Sequence, residues 1–297
     1  MKISNNQIVT LAVTTVTTIA ISLSSIATAD SVTDVVNKAI NLGKEALYED
    51  APDWMQRTSI EIQVENNYKP TIELETVQPI MQNSKDDMYF YQLNARTRDS
   101  QKSYNLGLGY RNIVADDMMY GINAFYDYSA KNKHKRSSIG VEAISNDLEA
   151  RVNVYHAISG KKEVGSAEFE QALDGWDVEI GGSILPSNKD LKVYLSHSEF
   201  DAVTAGRSDY KDNQVRVTYP LDNNTMLEVG HTMEKEKYSS KDKDRSFAKL
   251  KYTFGKKTST KSAVAGLRTK LLQPVERRHE IVLEKTINAT ISVSRGS

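Results

Sequence analysis

The chain has 297 residues, with 38 Lys+Arg against 39 Asp+Glu, a net charge of −1 and no cysteine. With no basic excess to neutralise phosphates, no nucleic-acid partner is expected. Without cysteine, disulfide scaffolds, zinc-thiolate sites, iron–sulfur clusters and cysteine nucleophiles are excluded. Only 39% of residues are hydrophobic and mean hydropathy is −0.50. This rules out a multi-helix membrane protein but not a membrane β-barrel, whose strands alternate apolar and polar residues. Fifteen Tyr against six Phe suits membrane–water interfaces, where one end of the ring is dry and the other wet.

Residues 1–29 read as a secretory signal peptide. Lys2 precedes an uncharged stretch over 8–26, and Ala27-Thr28-Ala29 forms a small-x-small site with cleavage expected after Ala29. Residues 30–56 then form a periplasmic segment with one short helix over 34–48. Its Val35, Val36, Ala39, Ile40, Leu42, Ala46 and Leu47 share a face, and Pro52 ends it.

From 57 to 255 the pattern turns to period two. Twelve strands are expected, at 57–66, 69–79, 87–98, 101–113, 118–130, 135–144, 148–159, 175–185, 191–198, 213–220, 225–234 and 245–255. In the fourth, Tyr104, Leu106, Leu108 and Tyr110 oppose Asn105, Gly107, Gly109 and Arg111; in the twelfth, Ala248, Leu250, Tyr252 and Phe254 oppose Lys249, Lys251 and Thr253. Connections at 114–117, 145–147, 186–190 and 221–224 are short, whereas those at 160–174 and 199–212 are long and charged. Short–long alternation, broken at 67–68 and 80–86, and an even strand number favour an all-β fold, a twelve-stranded antiparallel outer-membrane barrel, monomeric, in contact with outer-membrane lipid and lipopolysaccharide, over a soluble barrel with a solvated polar face. The basic stretch 131–136 reads first as a solvated loop, second as a holder of lipopolysaccharide phosphates.

The charged residues of the polar face belong in the lumen. These are Glu61, Glu65, Glu73, Glu75, Glu142, Asp177, Glu179 and Glu228, with Arg96, Arg111, Arg151, Lys192, Arg216, Lys249 and Lys251. On the lipid side a mid-membrane Arg or Lys would cost about 2–4 kcal/mol. Small inward residues at 107, 109, 121 and 140 leave clearance inside the barrel.

Residues 256–297 carry nine Lys/Arg and three Glu, a net +6. Residues 262–272 suit a short helix ended by Pro274, and 280–288 are strand-like. After an even-numbered last strand this tail begins in the periplasm, where it either stays or enters the pore. Extended chain spans about 3.3 Å per residue, enough to cross a bilayer of about 40–45 Å. Threading would bring Arg268 and Lys270 to lumen acids, foremost those of the first two strands.

No catalytic constellation emerges. His134, His156, His197, His231 and His279 form no H-x-x-x-H or H-E-x-x-H pattern, and no G-x-S-x-G elbow occurs. Asp86-Asp87 and Asp116-Asp117 read as turn residues. No enzyme activity, metal or cofactor is expected.

Five segments in order resemble one family: 105–111 (NLGLGYR), 121–128 (GINAFYDY), 138–143 (SIGVEA), 174–186 (DGWDVEIGGSILP) and 275–285 (VERRHEIVLEK). They are similar to the β-domain of inverse autotransporters, the intimin/invasin type, over about residues 71–285. The resemblance implies a twelve-stranded translocator barrel whose following segment, partly helical, rises through the pore toward a surface-exposed passenger. It implies type V secretion and a family role in cell adhesion. No peptidoglycan-binding module is read before the barrel, and 12 residues follow Lys285, so a free-standing barrel without passenger is expected. Tyr252 and Phe254, ending the last strand, resemble the signal read by the barrel-assembly machinery. The alternative is a passive pore; a barrel enzyme ranks third.

Overall fold

The computed structural model describes residues 55–66, 68–98, 101–165, 167–185, 187–235, 244–255 and 263–287. The expected signal peptide over 1–29, the helix over 34–48 and the chain beyond 287 lie outside the described residues.

Twelve strands close a barrel. They are β1 (Thr58–Glu65), β2 (Thr71–Met81), β3 (Asp87–Arg98), β4 (Gln101–Ala115), β5 (Met118–Ser129), β6 (His134–Ser145) and β7 (Leu148–Ala157). After two short strands, β8 (Lys162–Gly165) and β9 (Glu168–Ala172), come β10 (Gly175–Leu185), β11 (Asn188–Phe200), β12 (Tyr210–Pro220), β13 (Thr225–Lys235) and β14 (Arg245–Thr253). Every neighbouring pair is antiparallel, and β1 pairs with β14 from Ser59↔Thr253 to Glu65↔Phe247. That closure removes the unpaired strand edges that lipid would leave unsatisfied.

The connections after β2, β4, β6, β10 and β12 gather at one mouth of the barrel, the turn end, and those after β1, β3, β5, β7, β11 and β13 at the other, the loop end, which carries the long connections 158–174 and 201–209. Register shifts at Pro79/Met81, Ile113/Ala115 and Ser183/Leu185 all fall at the turn end, where bulges bend strands at a barrel rim. Asp87 accepts hydrogen bonds from the Ser84 and Asn83 backbone N–H groups at 2.5 and 3.1 Å, the turn role expected of that acid pair.

Alternation sorts the faces. Leu108 is 58% and Ile139 62% exposed on the outer surface, while Arg111 and Arg136 on the lumen side are fully buried. A basic solvated loop over 131–136 is thereby corrected. β6 starts at His134, and Arg136 points inward with Nε 2.8 Å from Asp127. Lys131, Lys133 and Lys135 remain exposed.

The tail forms α1 (Ala263–Lys270) and β15 (Leu283–Ile287). β15 pairs with β9, and β9 with β8, in a separate three-stranded sheet. β8 and β9 lie within the expected long connection 160–174. Gly255 turns the chain out of β14 with φ +101°, the left-handed region that glycine tolerates. Asn224 clamps that turn, donating to the Thr253 and Gly255 carbonyls at 2.6 and 2.7 Å.

Candidate functional site

The lumen is filled by the tail in three layers. At the turn end α1 closes the mouth. Leu267, Leu271 and Val275, four residues apart, pack on inward-facing Val77, Met88, Phe90, Met119, Phe125 and Ile144. All nine are buried. Burying each aliphatic side chain is worth about 1.5–3 kcal/mol, so this seat holds the helix dry. The helix ends where Pro274 blocks continuation. Its orphan carbonyls are taken up by Arg111, whose guanidinium donates to the Lys270, Leu271 and Gln273 oxygens at 3.2, 3.1 and 2.5 Å. Arg111 is itself fixed by Glu142 at 2.6 Å and lies over the Phe90 ring.

The middle layer is charged. Residues 276–280, neither helix nor strand, run between the walls, and each side chain meets an ionisable partner on the barrel. Glu276 faces Arg216 at 3.7 Å, Arg277 pairs with Asp127 at 2.6 Å, and Arg278 pairs with Asp212. His279 Nδ1 lies 2.9 Å from Glu73, and Glu280 is held by Arg98 at 2.7 Å and Arg96 at 3.3 Å. Buried ions are tolerated only with such pairing and hydrogen bonding.

At the loop end Tyr155, Leu173, Phe200, Tyr210 and Val282 form an apolar collar. Leu173 N–H donates to the Val282 carbonyl at 3.1 Å. Beyond it β15 is gripped on two sides. It pairs with β9 from Leu283↔Ala172 to Ile287↔Glu168. The loop after β11 supplies Thr204, whose hydroxyl bonds Glu284, and Arg207, which donates to the Lys285 carbonyl at 2.9 Å. Glu170 on β9 accepts from Asn132 at 2.6 Å and pairs with Lys285 at 3.0 Å. Burial pushes the Glu170 carboxyl up, but the Asn132 and Lys285 hydrogen bonds outweigh it and hold its pKa below the ordinary value.

The expected lumen residues divide into two groups. Several are paired within the wall: Lys249 with Glu61 and Glu228 at 3.2 Å each, Glu65 with Arg98 and Arg245, Lys251 with Glu75 at 2.9 Å, and Arg151 with Glu179 at 2.7 Å. Others touch the tail: Glu73, Arg96, Arg111 and Arg216. Glu142 acts through Arg111. Arg268 reaches Asp86 at 2.8 Å in the turn between β2 and β3, outside the lumen proper, while Lys270 meets the buried Glu149 at 3.0 Å. Asp127, Glu149 and Asp212, the strongest partners of tail cations, were missed from sequence, although period two already puts them on the inward face. Phe254 lies one residue past the end of β14. It packs with Tyr252 at 5.3 Å and joins Ile60, Ile62, Ile72, Leu74, Tyr91, Leu93 and Ala95 in one apolar cluster.

Glu73, Glu75 and His279 bring three potential ligand atoms within 4.8 Å of one another. Lys251 on Glu75 and Arg96 on Glu73, at 2.9 and 3.6 Å, already balance these carboxylates, so the cluster works as an ion-pair knot. A cavity of ≈ 190 Å³ lies beside residues 276–280, lined from β1, β3 and β10–β14.

A closed twelve-stranded barrel, an apolar outer surface, a charged lumen and a segment that enters at one mouth and pairs at the other define an outer-membrane barrel with an occupied pore. The chain belongs to the inverse autotransporter β-domain family, whose model matches residues 15–279. It is 30% identical over 129 residues to a putative attaching and effacing protein homolog of Escherichia coli K12, covering 43% of each chain. It is 27% identical over 141 residues to invasin of Yersinia enterocolitica, covering 45% of this chain and 16% of invasin. The chain thus spans less than half the length of these relatives. A solved structure from a study of in-meso crystallisation of membrane proteins matches the fold with a TM-score of 0.63 at 23% identity, over 77% of this chain and 99% of that one. The protein is a translocator barrel of the intimin/invasin type in the bacterial outer membrane, in contact with its lipids, and the family is not enzymatic. In such barrels the turn end faces the periplasm and the loop end the outside.

Proposed function

We propose that the barrel carries polypeptide following residue 287 to the cell surface, and that the tail then stays in the pore as its plug. The supporting observation is the separation of the two tail elements: α1 at the periplasmic mouth on Asp86 and Glu149, β15 at the outer mouth on β9. A segment anchored at both mouths has its continuation outside. The barrel works as a monomer, inserted by the barrel-assembly machinery with Tyr252 and Phe254 as the signal. Lipopolysaccharide phosphates meet the exposed Lys131, Lys133 and Lys135 at the outer mouth. Replacing Phe254 with Asp reduces insertion, seen as loss of heat-modifiable migration on gels.

The deciding experiment adds protease to intact cells carrying a tag after Ser297. Cleavage of the tag with the periplasmic side spared supports export. A tag protected until the outer membrane is opened rejects it. The competing reading, a passive pore, rests on the cavity beside the tail. The dry packing of Leu267, Leu271 and Val275 at the periplasmic mouth opposes ion flow. Conductance that is low in the full chain and rises on deleting 263–297 favours the plug.

A further inference from the structure

The contacts made to the tail inside the lumen are of two kinds, to its side chains and to its main chain. Side-chain pairs reach residues 276–280 from β2, β3, β5 and β12. Hydrogen bonds to the tail's main chain between 270 and 279 come, among the described residues, from one wall alone: β3, β4, β6 and β7. Gln92 acts as a two-pronged reader of Val275, accepting its N–H at 2.7 Å and facing its carbonyl at 3.5 Å. Arg111 takes the three carbonyls at 270, 271 and 273. Asn153 donates to Glu276 O at 3.4 Å, Arg136 to Arg278 O at 2.6 Å, and Asn105 to His279 O at 3.2 Å. The Tyr155 hydroxyl accepts the Arg278 N–H at 2.9 Å.

These six side chains are all at least nine-tenths buried. Each is also bonded to a carboxylate of the wall: Gln92 to Glu75, Arg111 to Glu142, Asn105 and Arg136 to Asp127, Asn153 and Tyr155 to Asp177. The barrel therefore sets their orientation, with Asp127 alone shared with Arg277 of the tail. The Oδ1 atoms of Asn105 and Asn123, buried in the same wall, have no hydrogen-bond partner. Orphaned buried acceptors are uncommon.

From this we infer that the β3–β7 wall is a binding track that grips the main chain of an extended polypeptide, its side-chain pairs with Arg277 and Glu280 being additional to that grip. Any residue offers the same N–H and C=O groups, just as a sheet edge binds peptides through their backbone. The track would hold each stretch of passing chain in turn, and the cavity on the opposite side gives its side chains room. The inference deepens the translocator reading and rests on it for the identity of the passing chain.

The chain has no cysteine, so an introduced pair reports cleanly. Ser138 Oγ lies 3.1 Å from the Arg277 guanidinium. In the full-length protein, Ser138→Cys with Arg277→Cys is joined by a short bismaleimide, and cross-link yield measures seating of the tail. Adding Glu276→Ser, Arg278→Ser and His279→Ser should leave the yield within about two-fold, because the main-chain bonds remain. Adding Gln92→Leu and Asn153→Leu should instead lower it more than about five-fold, the factor corresponding to about 1 kcal/mol. A yield lost when the tail side chains are stripped overturns the inference, because side-chain pairing then does the holding. A yield kept in the Gln92/Asn153 variant overturns it equally. Heat-modifiable migration checks that this variant inserts. Where it does not, Tyr155→Phe, which removes one hydroxyl, should lower the yield about two-fold, and an unchanged yield overturns the inference. A tag after Ser297 that stays inside while the cross-links behave as expected removes the translocator reading and leaves the main-chain site standing.

Discussion

The two halves of the lumen treat the same tail differently. Against β4–β7 the tail is packed dry: Arg136, Arg277 and Asp127 are all fully buried, and the Phe125 and Tyr155 rings lie 4.4 and 5.5 Å from the Arg277 guanidinium. Against β10–β14 it borders the ≈ 190 Å³ cavity, and the Arg278 side chain keeps 22% exposure beside Asp212. Chemically similar arginine–aspartate pairs thus occupy different dielectric settings a residue apart. The first is fixed by burial, with Asp127 shared between the Arg136 and Arg277 guanidiniums and no charge of the three exposed. The second can trade partners with ordered solvent.

The sharpest way to break this comparison is Asp127→Asn. It leaves two buried guanidiniums without a counter-charge and should cost about 3–5 kcal/mol, read as a lower transition temperature in heat-modifiable gel migration. Next is Gly107→Ala, whose Cβ would overlap the Phe125 ring that supports Arg277. Overpacking of that kind costs about 2 kcal/mol by the same readout, and the inward glycine is revealed as a seat for an aromatic ring. The matched change on the wet side, Asp212→Asn, should cost only about 1 kcal/mol, since solvent in the cavity replaces part of the lost bonding. Equal costs for Asp127→Asn and Asp212→Asn would end the distinction between the walls. The smallest effect concerns the outer mouth. Burial raises the Glu170 pKa but Asn132 and the tail's Lys285 hold it below its ordinary value, so its contribution is present above the ordinary carboxylate pKa and fades as pH falls through the folded value. Protease cutting within 283–287 should therefore quicken modestly at about pH 3 relative to about pH 7, and Glu170→Gln should abolish that difference.

The barrel was legible because period two and turn length are local signals. The strands over 101–113 and 118–130 need no tertiary information beyond alternation, and β4 and β5 follow them closely. α1 and β15 were also expected, from Pro274 and the apolar spacing of the tail. The segment 162–172 reads as plain loop in the sequence, because β8 and β9 have four and five residues and little alternation. They exist through pairing with each other and with β15, a partner more than 100 positions away. The tail's ion pairs were expected on Glu61, Glu65, Glu73 and Glu75, yet Arg277 and Arg278 meet Asp127 and Asp212. Alternation tells which face a residue takes. It does not tell its height along the pore, and height decides who meets whom. Glu61 and Glu65 are already matched by Lys249 and Arg245 on the neighbouring β14 and by Arg98 on β3. The inward apolar ring of Val77, Met88, Phe90, Met119 and Ile144 is not legible in the sequence, because apolar strand residues of a barrel ordinarily face lipid.

The pairing of β15 with β9 has a mechanical consequence. A pull on the chain beyond residue 287 runs along β15, so its five register pairs with β9 are loaded in shear and resist together, rather than opening one after another. Force passing that clasp meets the Val282 collar, then the pairs at 276–280, and last α1 wedged in its seat at the far mouth. The tether thus yields in stages from the outside inward, and tension is spread over the height of a closed barrel rather than concentrated on a single joint.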